Sequence, residues 1–382
     1  MRIAIISRHS IPNYGSLFQA YALQIVIEKL GYDAIHIDYT PYSEQGARKA
    51  ITTVNRCRWN KNLATKALYI LYQIPSCCLC FKRFTKYRHR LLHQTSIHYS
   101  SKEDLLSNPP QAEIFVTGSD QVWNIIADGK MDENYYLGFL PNESYRISYA
   151  ASFGTEKFNC EDEAHYKELL KKYRYISVRE DSGINILNEF GLDGTHVLDP
   201  TLLAGKEIWE QMANPKRIIE KKYILIYQLK PNKEFDSFAK HLAVTKGYSL
   251  IRVSTMLSQI TMKGRFYYMP TPTNFLSLFR DAEYILTDSF HGTCISLLFE
   301  KQFAEVLPGI YNSRNISLLR ALQLEKRILY DMKDISIIDD KIDYNKTKKI
   351  LEGQRNKSMD FLKKAIEGFF TSPIKNGDAT NQ

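Results

Sequence analysis

Short apolar runs alternate with longer amphipathic stretches along most of this chain. Residues 3–7 read as a strand. Residues 17–30 read as a helix capped by Ser16, with Ala20, Leu23, Ile27 and Leu30 at helical spacing and Gly31 just past its end. Residues 34–38 give a second strand. That order is a βαβ unit, so the sheet is expected to be parallel. Further strands are predicted at 113–117, 146–150, 175–178 and 195–198, with helices at about 161–172 and 181–190. A charged stretch at 205–222 separates this half from a second. There the pattern predicts strands at 223–227, 249–253, 282–286 and 303–306, and a helix over 232–246. The economical architecture is α/β: two Rossmann-like, doubly wound domains facing a cleft. Their expected bounds are 1–205 and 206–343. A helix at 344–371 packs back across them, and a disordered tail follows at 372–382.

Composition sharpens this in three places. A length of 382 residues favours two cores over one. The 25 tyrosines suit stacking on sugar faces. The net charge of +9 is unevenly placed: an insert at about 45–102 holds twelve Lys and Arg and no Asp or Glu. Without those twelve, the remaining 39 basic residues are outnumbered by 42 acidic ones. Such a segment attracts phosphates, in lipid or in nucleic acid. Inside it, residues 67–81 are uncharged and Pro75 is expected to break them. The run is too short to span a bilayer and suits either an anionic membrane interface or a buried helical pair. No nucleic-acid-binding motif accompanies the charge. The six cysteines lack zinc spacing and read as free thiols in a reducing compartment. With no signal peptide, a cytoplasmic location is expected, with contact at the inner face of the membrane if the insert binds there.

One polar cluster, Thr287-Asp288-Ser289-Phe290-His291-Gly292-Thr293, lies between a buried strand and a buried helix. Open α/β sheets hold ligands at that place. Gly292 would let the backbone approach a ligand, and the helix amides after Thr293 favour negative charge. His291 is the group that exchanges a proton near neutral pH. The same residues also read as an N-cap, at Ser289 or Thr293, beside a core histidine.

Together with this cluster, five stretches recur in order along the chain. They are Asn13-Tyr14-Gly15-Ser16-Leu17-Phe18-Gln19-Ala20-Tyr21-Ala22-Leu23-Gln24, Gly118-Ser119-Asp120-Gln121-Val122-Trp123-Asn124, Ser148-Tyr149-Ala150-Ala151-Ser152-Phe153-Gly154, Ser177-Val178-Arg179-Glu180 and Leu198-Asp199-Pro200-Thr201. The set resembles the polysaccharide pyruvyl transferase family. The resemblance implies a GT-B-like fold. It implies transfer of enolpyruvate from phosphoenolpyruvate to two hydroxyls of a sugar, as a cyclic ketal, in capsule, exopolysaccharide or cell-wall synthesis. Phosphoenolpyruvate is then a co-substrate, the acceptor a sugar or lipid-linked oligosaccharide, and neither cofactor nor metal is needed. The sequence gives no indication of oligomeric state.

On this reading Arg179 grips the donor in bidentate fashion, with a salt bridge to a neighbour such as Asp181 as the structural alternative. His291 protonates the methylene carbon, binds the phosphate or removes a hydroxyl proton. Ser289, Gly292, Thr293 and Arg314 complete the donor side. Asn13, Ser16 and Gln19 face the acceptor, Trp123 stacks on its ring or packs in the core, and Asp120 acts as a base or accepts from sugar hydroxyls. The rival readings are a GT-B glycosyltransferase using a nucleotide sugar and a non-catalytic glycan-binding protein.

Overall fold

The computed structural model describes residues 1–55, 59–307, 312–333 and 335–371. The first lobe carries β1 (Arg2–Ile6), α1 (Tyr14–Lys29), β2 (Asp33–His36), α2 (Gly46–Val54), α3 (Leu63–Leu91), α4 (Lys102–Ser107), β3 (Ile114–Thr117), β4 (Tyr145–Ser148), α5 (Glu163–Leu170), β5 (Ser177–Val178), α6 (Asp181–Glu189), β6 (Thr195–His196) and α7 (Pro200–Leu203). The second carries α8 (Glu207–Met212), β7 (Tyr223–Tyr227), α9 (Lys233–Lys246), β8 (Ser249–Ser254), β9 (Arg265–Tyr268), α10 (Pro272–Arg280), β10 (Tyr284–Thr287), α11 (Phe290–Leu298), β11 (Gln302–Glu305) and α12 (Ser313–Ala321). A long helix, α13 (Tyr344–Thr371), ends the described chain. The tail assigned to 372–382 lies outside the described residues.

Both sheets are parallel. The first runs β2-β1-β3-β4 and continues toward β5 and β6 through bridges from Ile147 to Tyr175 and from Ala151 to Val178. The second runs β11-β10-β7-β8-β9. β3, β4, β7 and β10 are buried at every residue, as parallel strands covered on both faces must be. β9 is not predicted from the apolar pattern. It is an edge strand of Arg-Phe-Tyr-Tyr, only partly buried, and so lacks an apolar run.

α1 starts before the predicted Leu17 because Asn13, not Ser16, caps it. The Asn13 side chain accepts from the Gly15 amide at 2.7 Å. Leu23, Val26 and Ile27 cover the first sheet. Tyr14, Phe18 and Ala22 join a cluster with Trp209, Phe275 and Phe290 of the second lobe. Tyr14 stacks on Phe275 with ring centroids 3.9 Å apart, and Phe18 meets Trp209 edge-on at 5.2 Å. One apolar core therefore runs across both lobes through α1. α13 ties them again. Leu351 joins the shared cluster, whereas Leu362, Ala365 and Ile366 pack under the first sheet.

In the basic insert, Pro75 does not break the helix. α3 runs unbroken for 29 residues. Proline removes the hydrogen bond to the carbonyl four residues back; here that residue is Leu71, whose 76% exposure lets water substitute. Arg88 is buried and donates to the Ser10 carbonyl at 3.0 Å, so it belongs to the interior. Arg56, Cys57 and Arg58 lie outside the described residues.

The inter-lobe cluster sets a stability expectation. Phe275→Ala should cost about 3–5 kcal/mol, as for other buried aromatic truncations, measured by denaturant unfolding. A loss near zero would mean that the lobes are held by other contacts.

Candidate active site

The loops after β1, β3, β4, β5 and β6 converge from the first lobe. At their centre is Arg179, whose side chain has no solvent exposure. Its guanidinium donates to Asp199 Oδ2 at 2.8 Å and Asp120 Oδ1 at 3.1 Å, and its Nε lies 3.9 Å from Glu180 Oε2. Burial alone would raise the Asp120 and Asp199 pKa values. Arg179 and His291 outweigh it, aided by bonds from Ser16 to Asp120 and from Thr201 to Asp199, and hold both carboxyls well below the usual range. Ser16 donates to Asp120 Oδ2 at 2.6 Å, and Ser119 donates to Asp199 Oδ2 at 2.8 Å. Asp120 has φ of 78°, a left-handed backbone uncommon outside glycine. Such strain persists where surrounding contacts over-determine it. Glu180 Oε1 accepts from Ser152 and from the Phe153 and Gly154 amides, at 2.9, 3.0 and 3.2 Å.

The second lobe supplies an imidazole and a guanidinium. His291, in the first turn of α11, sits with Nε2 3.7 Å from Asp199 Oδ2 and without a hydrogen bond to the protein. Its ring fills the space above Gly15: a Cβ there would lie 2.1 Å from His291 Nδ1. Arg314, in the first turn of α12, is the other. Its pKa is pulled down to about 10 by burial and by repulsion from Arg179. Both guanidiniums lie over the Phe290 ring, at 4.7 Å for Arg179 and 5.9 Å for Arg314. Among the described residues, Arg314 Nε, Arg179 Nε, Ser313 Oγ and both side-chain polar atoms of Asn315 are buried atoms without a hydrogen-bond partner. The α12 N-cap, Asn312, makes no capping bond. Free donors, two guanidiniums and an open helix start together favour a compact anion.

The expected residues separate into those at this centre and those elsewhere. Arg179, Asp120, Ser16, His291 and Arg314 come together. Arg179 pairs with Asp120 and Asp199, not with Asp181, which faces His196 and Arg320. Asp120 is held too acidic to act as a base near neutral pH, so its part is that of acceptor and counter-charge. Trp123 is 1% exposed, packed among Tyr136, Phe153 and Tyr173, with no face left for a sugar. Gln19 is fully buried and bonds Ser7 and the Ser16 carbonyl. Asn13 spends its side chain on the α1 cap, and Ser289 caps α11 by accepting from Gly292 N at 3.3 Å. Gly292 does not open the backbone to a ligand, because Thr287 Oγ1 would lie 2.3 Å from a Cβ there. Thr293 donates to buried Glu305 at 2.6 Å and is itself wholly buried.

Asp199, Glu180, Phe290, Ser313 and Asn315 are the site residues that sequence reasoning passes over. Asp199 carried a legible signal: an Asp-Pro pair after a strand, which caps α7. Glu180 and Phe290 lie inside quoted stretches without a signal of their own, and Ser313 and Asn315 carried none. Among the described residues, no group of His, Cys, Asp and Glu is arranged to hold a metal ion.

A family model described as polysaccharide pyruvyl transferase matches residues 13–307, which span every first-lobe residue of this centre together with His291. No protein of curated function matches the chain. Among solved structures, the chain is similar to a UDP-N-acetylglucosamine 2-epimerase from Rickettsia bellii. That match has a TM-score of 0.55 at 12% identity, covering 98% of this chain and 97% of the other. It is also similar to the UDP-GlcNAc 2-epimerase of Neisseria meningitidis bound to UDP-GlcNAc. There the TM-score is 0.53 at 10% identity, covering 96% of this chain and 100% of the other. At such identities the likeness concerns fold alone, and the fold is GT-B.

Glu305 offers a test of the geometry that needs no substrate. Burial raises its pKa to about 8 from an ordinary 4.5. The unfolded chain releases this proton near pH 4.5 while the folded one keeps it to about pH 8, so the group costs stability progressively as pH rises through that window. Glu305→Gln, which mimics the protonated acid, should gain stability over wild type between pH 4.5 and 8 in thermal melts. An offset that does not grow across the window would contradict the assignment.

Proposed function

Because the chain belongs to the polysaccharide pyruvyl transferase family, we propose that it transfers the enolpyruvyl group of phosphoenolpyruvate to two hydroxyls of a sugar. The product is a cyclic ketal, and orthophosphate leaves. The observation that carries this reading is the pairing of buried Arg179 with half-buried Arg314, whose Nε has no hydrogen-bond partner among the described residues, beside His291 Nε2, which likewise has none. A small donor bearing a phosphate and a carboxylate would satisfy those donors and the open start of α12.

The chemistry follows from the donor. The methylene carbon takes a proton, leaving an electrophilic carbon that bears the carboxylate and the phosphate. One sugar oxygen bonds to that carbon, the carbon–oxygen bond to phosphate breaks, and a second sugar oxygen closes the ring. Of the two hydroxyl protons, one is balanced by the new methyl group and the other leaves with phosphate. His291 is the proton carrier, with its ring held by Gly15 on one side and Asp199 on the other. Arg314 and the α12 amides stabilise the departing phosphate. Arg179 orients the donor carboxylate while keeping Asp120 and Asp199 ionised. Burial of the centre keeps water from competing with the acceptor hydroxyls.

The acceptor belongs on the first lobe. The loop that starts at Asp120 runs to Ile126 and Asn134, which line a cavity of about 730 Å³ with Tyr39, Tyr42, Arg48 and Tyr166. Arg8 braces that loop by donating to the Ile125 carbonyl at 3.2 Å. Aromatic rings with carboxylates around them suit sugar faces and hydroxyls, and the volume suits an oligosaccharide, carried on a lipid or free.

Incubation with phosphoenolpyruvate and candidate glycans should release orthophosphate and add the pyruvate ketal mass to the glycan. Release of a nucleoside diphosphate from a nucleotide sugar, with no reaction of phosphoenolpyruvate, would overturn the reading. His291→Ala should keep the fold and lose ~100- to 10,000-fold in turnover. Gly15→Ala, which pushes the ring aside without removing it, should lose on the order of 100-fold. Tyr42→Ala should raise the acceptor KM roughly tenfold and leave kcat and donor KM unchanged; an unchanged acceptor KM would place the glycan elsewhere.

A further inference from the structure

The exposed positions of α3 fall on one stripe, and the stripe changes character along its length. Its first half presents Leu63, Leu68, Leu71, Tyr72 and Leu79, with Leu63 at 84% and Leu71 at 76% exposure. Its second half presents Lys82, Lys86 and Arg90. The opposite side is committed to the body of the protein. Cys80, Phe84 and Arg88 are buried; Cys80 Sγ lies 3.4 Å from the Thr255 carbonyl, and Arg88 reaches Ser10. By length and composition alone α3 is apolar enough to cross a membrane, yet its side contacts hold it along the surface of the molecule.

We propose that this stripe docks the protein obliquely on an anionic lipid surface, with the Leu63 end among the acyl chains and the Lys82–Arg90 end at the headgroups. Two features select that occupant. The insert carries twelve basic residues and no acidic one, so its charge complements anionic headgroups. The apolar and basic halves follow one another on the same face, which matches a medium that is apolar at one depth and anionic at another. A second copy fits poorly. Antiparallel pairing would set Lys82, Lys86 and Arg90 against the leucines, and parallel pairing would set like charges face to face. Lys61 and Lys66, at the apolar end, reach headgroup level along their flexible stems.

Co-sedimentation tests this with phosphatidylcholine–phosphatidylglycerol vesicles against pure phosphatidylcholine vesicles. The wild type should bind the anionic vesicles at low salt, leave them at high salt as charges are screened, and ignore the neutral ones. Lys82→Gln, Lys86→Gln and Arg90→Gln together should weaken binding by ~5-fold per residue; Arg83 and Arg88 stay because they bond the Met269 and Ser10 carbonyls. Leu68→Glu with Leu71→Glu, at exposed positions that leave the core untouched, should remove binding with an unchanged thermal melt. A wild type that stays in the supernatant at low salt overturns the proposal. So does binding that survives both sets of substitutions. So does sedimentation velocity showing a dimer that the leucine substitutions dissociate, which would make the stripe a self-interface.

Discussion

A guanidinium wholly removed from water needs protein partners for its charge and its N–H groups. Arg179 meets that condition with Asp120, Asp199 and Glu180. These acids stand at the ends of β3, β6 and β5, so one cation fixes three loops at a common height. The constraint passes onward. Asp120, with one oxygen on Arg179 and the other on Ser16, keeps a left-handed backbone that a free loop would relax. Asp199, locked by Arg179, Ser119 and Thr201, offers its Oδ2 to His291 of the other lobe. Removing Arg179 would leave buried carboxylates uncompensated, so the residue is structural before it is anything else.

The second cation behaves differently. Arg314 is half-buried beside Arg179; desolvation first and repulsion from Arg179 second lower its pKa, while part of its hydrogen-bonding capacity is unused among the described residues. An incoming anion would relieve that repulsion and fill the unused donors at once. The two arginines, both assigned to the donor by the sequence reading, divide the work: Arg179 organises the first-lobe loops, and Arg314 with the α12 start offers the less committed charge.

Closure is built into the same region. α1 is covered on one side by its own sheet and on the other by Phe275, Trp209 and Phe290. The space bounded by Arg179, Asp199 and Phe290 is about 20 Å³, room for a water and little more. Contacts between the lobes hold this region closed, among them the stacking of Tyr14 on Phe275 within the shared core. The insert bears on this too, since α3 belongs to the first lobe yet bonds Thr255 and Met269 of the second.

The sequence by itself determined the strands that are apolar throughout, the βαβ order and the parallel sheets, because burial on both faces leaves an unbroken apolar run that local reading detects. It also located the charge excess, and it brought Arg179, Asp120, Ser16, His291 and Arg314 into view as residues at strand and helix ends. It could not see what those ends meet. Ser16 and Asn13 both look like caps, and only the position of Asp120 across the sheet decides that Ser16 serves the carboxylate and Asn13 the helix. Trp123, Gly292 and Thr293 look like site residues because their neighbours are; the side chains of Trp123 and Thr293 turn inward toward Tyr136 and Glu305, and Thr287 packs against Gly292, arrangements set by packing. Asp199 and Glu180 become site residues only because a buried guanidinium from another loop has to be neutralised. Pro75 sits within a helix because its neighbours on the far face are anchored to the second lobe, a long-range contact that overrides the local preference to break.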